Sequence, residues 1–172
     1  MPALAVTAVG ADRPGIVARV ARVLRDHEGN IADSSMTILG GHFAIVLLVE
    51  TEAPPAVLEN ALGEATADLN LVVTVCPVGT GATSAAASHV LSVYGADRPG
   101  IVAAVAEVLA ERGVNVTHLR TRALKGAGAV YAMLMEVSVP DGTAEALVGR
   151  LRADVALAGV EVSIHAVDDE TF

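Results

Sequence analysis

Apolar residues form strand-like and helix-like patterns in turn along the first half of the chain. Segment 4–9 is a short run of Val, Ala, Leu and Thr that stops at Gly10, as expected for a buried strand entering a turn. From Pro14 to Gly29, apolar residues recur at helical spacing with charged residues between them. This pattern predicts a strand followed by an amphipathic helix that packs on a sheet.

The following segments predict a hairpin, a second helix and a final strand. Segments 31–39 and 42–51 are strand-like and flank a Gly-Gly pair, which is typical of a β-hairpin. A Pro-Pro pair then opens a helical pattern, and segment 69–77 closes with another strand-like run. The predicted order is β-α-β-β-α-β, the ferredoxin-like split unit of the α+β class.

The second half of the chain repeats the first. The nonapeptide GADRPGIVA at 10–18 returns at 95–103, an offset of 85 residues, and the same predicted element order follows it. We therefore expect two ferredoxin-like domains, each with a four-stranded antiparallel sheet covered by two helices on one face. Their expected bounds are 1–78 and 89–172, with a small, polar, uncharged linker at 79–88.

Charge and composition exclude several kinds of partner. The net charge is −9, and acidic residues outnumber basic ones by nine to four in 1–78 and by eleven to seven in 89–172. This balance argues against direct nucleic-acid binding. Lys125 is the only lysine, so the chain has no polybasic membrane patch, and we expect no membrane partner.

Other features argue against a membrane segment, a metal site and an enzyme. The longest strongly apolar run, 44–49, is too short to cross a bilayer, and the start lacks the basic region of a signal peptide, so we expect a cytoplasmic protein. Cys76, the single cysteine, is interpreted as a small buried apolar residue. The five histidines lack metal-ligand spacing, and no partnered nucleophile or cofactor loop is present. We therefore expect no metal, no cofactor and no enzymatic activity.

The repeated Gly-Ala-Asp-Arg-Pro-Gly loop contains the candidate binding residues. Gly10 and Gly15 lack a Cβ atom and let the backbone approach a ligand or a second chain, and Pro14 sets the helix start. The first-turn amides favour an anion, while Asp12 can accept from those amides or from a ligand ammonium group. Asn30 offers both a donor and an acceptor. The equivalent residues of the second copy are Gly95, Asp97, Pro99, Gly100 and Asn115.

Each of these residues also has a purely structural interpretation of equal weight. Asp12 can cap the helix amides while glycine and proline shape the turn. Asn30 and its counterpart follow a helix end, where the left-handed conformation that Asn tolerates is common. His118, Arg120 and Arg122 alternate onto one face of a strand, which suits a solvated face or a surface for a small anion or an acidic partner.

The loop and its context resemble the ACT domain, a small-molecule sensor module of amino-acid metabolism. The resemblance rests on Asp-Arg-Pro-Gly followed fifteen residues later by Asn, found twice, and covers most of the chain. It implies an amino-acid ligand at an interface of two ACT copies, held by the loop of one and the Asn of the other. Stand-alone tandem pairs are similar to glycine cleavage transcriptional repressors. Serine-binding members carry His and Asn where this chain has Gly10 and Asp12.

The expected topology separates the two halves of such a site. Within one copy, the loop after the first strand and the start of the second strand lie at opposite ends of the sheet. If copies pair antiparallel along their second strands, the loop of Asp12 meets Asn115 and the loop of Asp97 meets Asn30. The site therefore needs two copies, from one chain or from two.

Two function hypotheses follow. The leading one is a non-enzymatic regulatory protein that binds an amino acid or related small metabolite at ACT-domain interfaces and acts through a protein partner, in transcriptional regulation of glycine or amino-acid metabolism. The alternative is a protein-interaction or dimerisation regulator with no small-molecule ligand. Small domains with open sheet faces and edge strands should pair, so we expect a homodimer or higher oligomer.

Overall fold

The chain forms two compact units, Met1–Ala82 and Thr83–Phe172, in a computed structural model. The structure describes residues 2–79, 86–124, 130–154 and 157–167. Each unit has the predicted element order and a four-stranded antiparallel sheet, which confirms the two ferredoxin-like domains. Most of the expected linker, residues 80–85, lies outside the described residues.

The first unit places its two helices over one face of the sheet. Its elements are β1 (Ala3–Ala11), α1 (Ile16–Asp26), β2 (Asn30–Leu39), β3 (His42–Glu50), α2 (Pro55–Ala65) and β4 (Val72–Val78). The strand order is β2-β3-β1-β4, so β1 and β3 are central and β2 and β4 are edges. The glycine pair between β2 and β3 has positive φ at both residues, as the hairpin prediction requires.

The core of the first unit follows the predicted periodicities. Every second residue of β1 and β3 is buried, and the buried residues of α1 recur at three- and four-residue spacing, as expected for elements that share one apolar layer. The fully buried members include Val6, Val49, Leu58 and Leu62. All ten residues of β2, which is an edge strand, are exposed.

The second unit repeats this arrangement around its own core. Its elements are β5 (His89–Ala96), α3 (Ile101–Glu111), β6 (Asn115–Leu124), β7 (Val130–Ser138), α4 (Ala144–Ala153) and β8 (Val160–Ala166). The strand order is β6-β7-β5-β8, and buried Leu, Val and Met side chains form a cluster separate from that of the first unit. The predicted start of the third strand, Gly128, lies outside the described residues.

A β-bulge interrupts the second strand of each unit at the same place. In β2 the pairing with β3 shifts between Ile31 and Asp33, and in β6 the pairing with β7 shifts between Val116 and His118. One extra residue changes the alternation of faces. As a result, the Asn that begins each strand lies on the sheet face away from the helices, together with Asp33 or His118.

The face of each sheet away from the helices is not covered by any described element of its own unit. In the first unit this face is mainly apolar, with Val9, Val46, Leu48 and Val72 exposed. Cys76 also lies there and is exposed, so its interpretation as a buried residue was wrong. A run of β-branched residues on an edge strand does not show which face is buried. No described helix is long and apolar enough to cross a membrane.

Candidate functional site

The Gly-Ala-Asp-Arg-Pro-Gly loop joins the first strand to the first helix in both units. Gly15 and Gly100 are the residues before the helices, with φ of 94° and 96°, in the left-handed region that favours glycine. Their carbonyls accept the first helical hydrogen bonds, from the amides of Arg19 (3.0 Å) and Ala104 (2.9 Å). A Cβ atom at either glycine would meet nothing within 4 Å. The positive φ therefore favours glycine at both positions for backbone conformation, and no atom of the described chain packs closely against either glycine.

The first glycine of the loop has a different role. A Cβ atom at Gly10 would lie 2.6 Å from Leu71 Cδ2 and 3.1 Å from the carbonyl oxygen of Asn70. At Gly95 it would lie 3.2 Å from the carbonyl oxygen of Gly159. The close backbone approach predicted for these glycines is thus made to the connection before the last strand of the same unit.

The aspartates of the two loops are exposed and free of protein hydrogen bonds to their side chains. Neither helix start receives a side-chain cap, and the carboxylates of Asp12 and Asp97 accept no hydrogen bond from the residues that the structure describes. The backbone amide of Asp12 donates to the carbonyl of Gly41 at 2.9 Å, which fixes the loop against the β2–β3 hairpin. The capping interpretation of these aspartates was therefore wrong, and both aspartates are exposed.

The arginines of the two loops interact with their own units. Arg98 donates to the backbone carbonyl of Ala158, in the connection between α4 and β8. In the first unit, a hydrogen bond from Arg19 lowers the pKa of Asp68 below its ordinary value, and the positive charge of Arg13 contributes to the same shift. The Arg98 hydrogen bond therefore ties the loop of the second unit to the connection before β8, whereas Arg13 forms no hydrogen bond or ion pair with the residues that the structure describes.

Asn30 and Asn115 are the first residues of β2 and β6, and both are exposed. The left-handed residues after the preceding helices are Glu28 (φ 54°) and Gly113 (φ 65°), not the asparagines. The structural interpretation of the asparagines as left-handed helix ends was therefore wrong. Their side chains make no hydrogen bond to other described residues and remain available to a ligand.

The loop and the asparagine of one unit lie far apart, as the topology predicted. Gly10 pairs with Phe43 and Asn30 pairs with Glu50, seven residues further along β3. At the rise of a β-strand this corresponds to about 23 Å. The register in the second unit gives the same separation. One small ligand cannot contact both groups of a single unit.

A shallow concavity of about 290 Å³ lies at the asparagine end of the first unit. It is lined by Asp26, His27, Glu28, Glu52 and Ala53. Three carboxylates there favour a cationic group. Sequence reasoning missed this concavity, although the Asp-His-Glu run at the end of α1 was a visible signal. Among the described residues, no group of three or more His, Cys, Asp or Glu is placed to hold a metal ion.

Comparison with known proteins covers both units. Residues 3–75 and residues 89–155 each match a family model of the ACT domain. A UPF0237 protein of Methanopyrus kandleri is 47% identical over 73 residues, which are 41% of this chain and 81% of that protein. Another, from Methanocaldococcus jannaschii, is 36% identical over 78 residues, which are 44% of this chain and 87% of that protein.

Two solved structures share the whole two-unit architecture. An unknown protein from Galdieria sulphuraria has 29% identity and a TM-score of 0.81, covering 97% of this chain and 99% of that one. A protein named as a glycine cleavage system transcriptional repressor has 21% identity and a TM-score of 0.72, covering 98% of both chains, which shows a common fold. The chain belongs to the ACT domain family and carries two ACT domains in tandem.

Proposed function

We propose that this chain is a non-enzymatic regulatory protein that binds an amino acid or a related small metabolite and acts through a protein partner. Membership of a family of regulatory domains supports the general role. Residues 3–75 and 89–155 match the ACT domain, so these two domains are where we place the function. Beyond this general role, we propose that a small ligand binds to the chain and that a protein partner responds to its binding.

One observation carries the ligand-binding part: an unpaired aspartate next to an uncapped helix start, present in both domains. Asp12 and Asp97 offer carboxylates to an ammonium group, and the adjacent first-turn amides offer donors to a carboxylate. An amino acid carries both groups a short distance apart. The loop is therefore complementary to the backbone part of a free amino acid, whatever its side chain.

We place the second half of the site on the asparagine of another ACT copy. The 23 Å separation within a unit excludes the local Asn30, so the loop of Asp12 would be completed by Asn115 and the loop of Asp97 by Asn30. Proline and glycine of the loop, Pro14 and Pro99 among them, hold the backbone in position. Binding at such a site would link ligand occupancy to the pairing of copies.

We extend the proposal to transcriptional regulation of glycine or amino-acid metabolism, because a protein named for that role shares the two-domain fold. The acidic charge of this chain disfavours direct contact with the DNA backbone. Any effect on transcription would therefore pass through a protein partner.

Calorimetric titration with glycine, serine and other amino acids tests the ligand. We expect one of them to bind, and to raise the melting temperature in proportion to its excess. Replacing Asn30 or Asn115 by alanine should weaken that binding by about 1–3 kcal/mol, because a buried polar group of the ligand loses its partner. Asn60→Ala, the same change at an exposed position on α2, is the matched control and should bind normally. Equal binding by all variants would place the site elsewhere.

The exposed edge strand β2 favours a second candidate function, a dimerisation regulator without a small ligand. Met36, Ile38 and Leu39 are 50%, 52% and 74% exposed on a strand whose outer edge is unpaired within its unit. In natural proteins, an edge strand with exposed apolar side chains is normally covered by another element or by a second chain. Failure of every amino acid to raise the melting temperature, with dimerisation intact, would favour this candidate.

We expect the protein to be a homodimer at micromolar concentration, measured by sedimentation velocity. Ile38→Lys should shift the population toward monomer, because it places a charge on the surface that dimerisation would bury. Val57→Lys, at a position on α2 with similar exposure, is the control and should leave the dimer intact. A wild-type monomer would contradict the expectation.

A further inference from the structure

The bare sheet face of the second domain has a row of basic residues that the first domain lacks. His118, Arg120 and Arg122 are paired with Glu136, Leu134 and Ala132 of β7, on the face away from the helices. All three basic side chains are exposed. In the first domain the equivalent positions are Asp33, Ser35 and Thr37.

The arginines of this row have no acidic partner among the described residues. Arg120 Nε donates to His118 Nε2 at 3.1 Å, and no described carboxylate lies within ion-pair distance of Arg120 or Arg122. The nearest acid on the neighbouring strand, Glu136, is paired in register with His118 and not with an arginine. In a chain of net charge −9, two adjacent unneutralised arginines are a local positive field.

An apolar strip lies beside the row on the same face. Leu134 is 43% exposed and Tyr94 is 50% exposed, on β7 and β5 respectively. Ala132 pairs with Arg122 on one side and with Tyr94 on the other. The side chains of Arg122 and Tyr94 are therefore two strand spacings apart, and the small Ala132 leaves a shallow channel about 10 Å wide between them. The face therefore has an apolar strip between the basic row on β6 and the exposed Glu161 of β8, which pairs with Tyr94, so an acidic partner edge must lie along β6.

We propose that this face docks an amphipathic helix of a partner protein whose polar edge is acidic. A helix is the usual cover for one face of a sheet. Arg120 and Arg122 are about 7 Å apart along the strand, and carboxylates at i and i+4 of a helix are about 6 Å apart, so one acidic edge matches both. The apolar stripe of the helix then covers Leu134 and Tyr94.

A second copy of this chain is a weaker occupant. Its helix α3 carries Glu107 and Glu111 at that spacing, both exposed. However, binding of α3 from one chain to the sheet face of another would be a head-to-tail contact, which repeats into rings or filaments. A different protein can pair its carboxylates with the same two arginines, and its binding does not lead to polymerisation. The inference rests on the proposed function, to which it adds the chemistry of the partner.

Fluorescence anisotropy with synthetic helical peptides tests the proposal. The probe is a labelled peptide of about 18 residues, long enough to form a helix, with leucines on one face and glutamates at i, i+4 along one edge. The matched probe has glutamine at every glutamate position. We expect the acidic peptide to bind in the micromolar range, with affinity that falls as salt rises. Equal binding of the glutamine peptide would overturn the proposal.

Paired variants of the protein locate the binding. R120Q/R122Q should weaken binding of the acidic peptide about tenfold, because two charge pairs are lost. R22Q/R112Q removes the same charge from exposed positions outside the sheet face and should bind as the wild type does. Unchanged binding by R120Q/R122Q would overturn the proposal, whatever the peptide affinity.

Three further measurements distinguish other occupants of this face and test the ligand site separately. A labelled single-stranded oligouridine that binds the wild type, but not R120Q/R122Q, would assign the face to nucleic acid and overturn the proposal. Species larger than a dimer that disappear in R120Q/R122Q would assign it to a second copy and also overturn it. Amino-acid binding by R120Q/R122Q should equal that of the wild type, so loss of peptide binding alone leaves the ligand proposal standing.

Discussion

Replacing Gly15 by alanine is expected to lower the free energy of unfolding by about 1–2 kcal/mol, the cost of a left-handed conformation for an L residue. The same change at Gly63 should raise it by about 0.5–1 kcal/mol, because alanine favours a helix over glycine. Neither new methyl group meets another atom within 4 Å, so packing is constant between the two variants. Only Gly15 has a positive φ, of 94°.

Urea denaturation measures both changes in one experiment. Gly15→Val should cost more than Gly15→Ala, because a β-branched residue is disfavoured further in this region. Gly100 and Gly149 form the equivalent pair in the second domain, with the positive φ at Gly100. Effects of the same sign at Gly15 and Gly63 would contradict the assignment of the loop conformation.

Truncating Leu62 to alanine should lower the free energy of unfolding by about 2–5 kcal/mol, the largest loss expected for a single change. Leu62 lies on α2 and is fully buried against the sheet of the first domain. The cost is the lost transfer free energy of the side chain together with the cavity that it leaves. Val57→Ala, on the same helix at 49% exposure, should cost much less and is the control.

Leu147→Ala in α4 is the counterpart in the second domain. Leu62 and Leu147 belong to separate buried clusters, so their effects should be additive within about 0.5 kcal/mol in the double variant. Measured by hydrogen exchange, each single change should reduce protection mainly in its own domain. Reduced protection in both domains from either single change would contradict the description of two independent cores.

The fold could be predicted from the sequence because its local signals agree with one another. Proline and glycine positions predicted the helix starts and the hairpin, and the helical spacing of apolar residues after Pro14 predicted an amphipathic α1, which the structure shows packed on the sheet. Because the second half repeats the first at an offset of 85 residues, the same prediction applied to both domains. Short-range rules were sufficient because each domain is built from short connections.

The burial of the edge strand was not predictable in the same way. Ile31, Met36 and Ile38 look like residues of a core strand, yet all ten residues of β2 are exposed. Exposure depends on the position of a strand in the sheet and on the extent of the helices above it. Neither quantity is encoded within the strand itself. Cys76 was misassigned for a different reason, because it lies on the face of β4 that is turned away from the helices.

The candidate binding site stays a prediction, although the structure tests parts of the reasoning behind it. The separation of the loop from Asn30 followed from topology alone, but the reasons given for individual residues were partly wrong. Gly15 serves backbone conformation, Gly10 serves packing against Asn70, and the left-handed position belongs to Glu28. The type of a residue is compatible with several roles, and its contacts in the folded structure show which of them it has.

The bulge in each second strand decides which side chains share a face of the sheet. Asn115 and His118 are three residues apart, so uninterrupted alternation would place them on opposite faces, whereas the bulge places both on the face away from the helices. Deletion of Thr117 would leave Asn115 opposite Ser138 and His118 opposite Glu136, so neither side chain would change face. A ligand at the asparagine and a partner on the basic row would therefore meet the same side of the second domain.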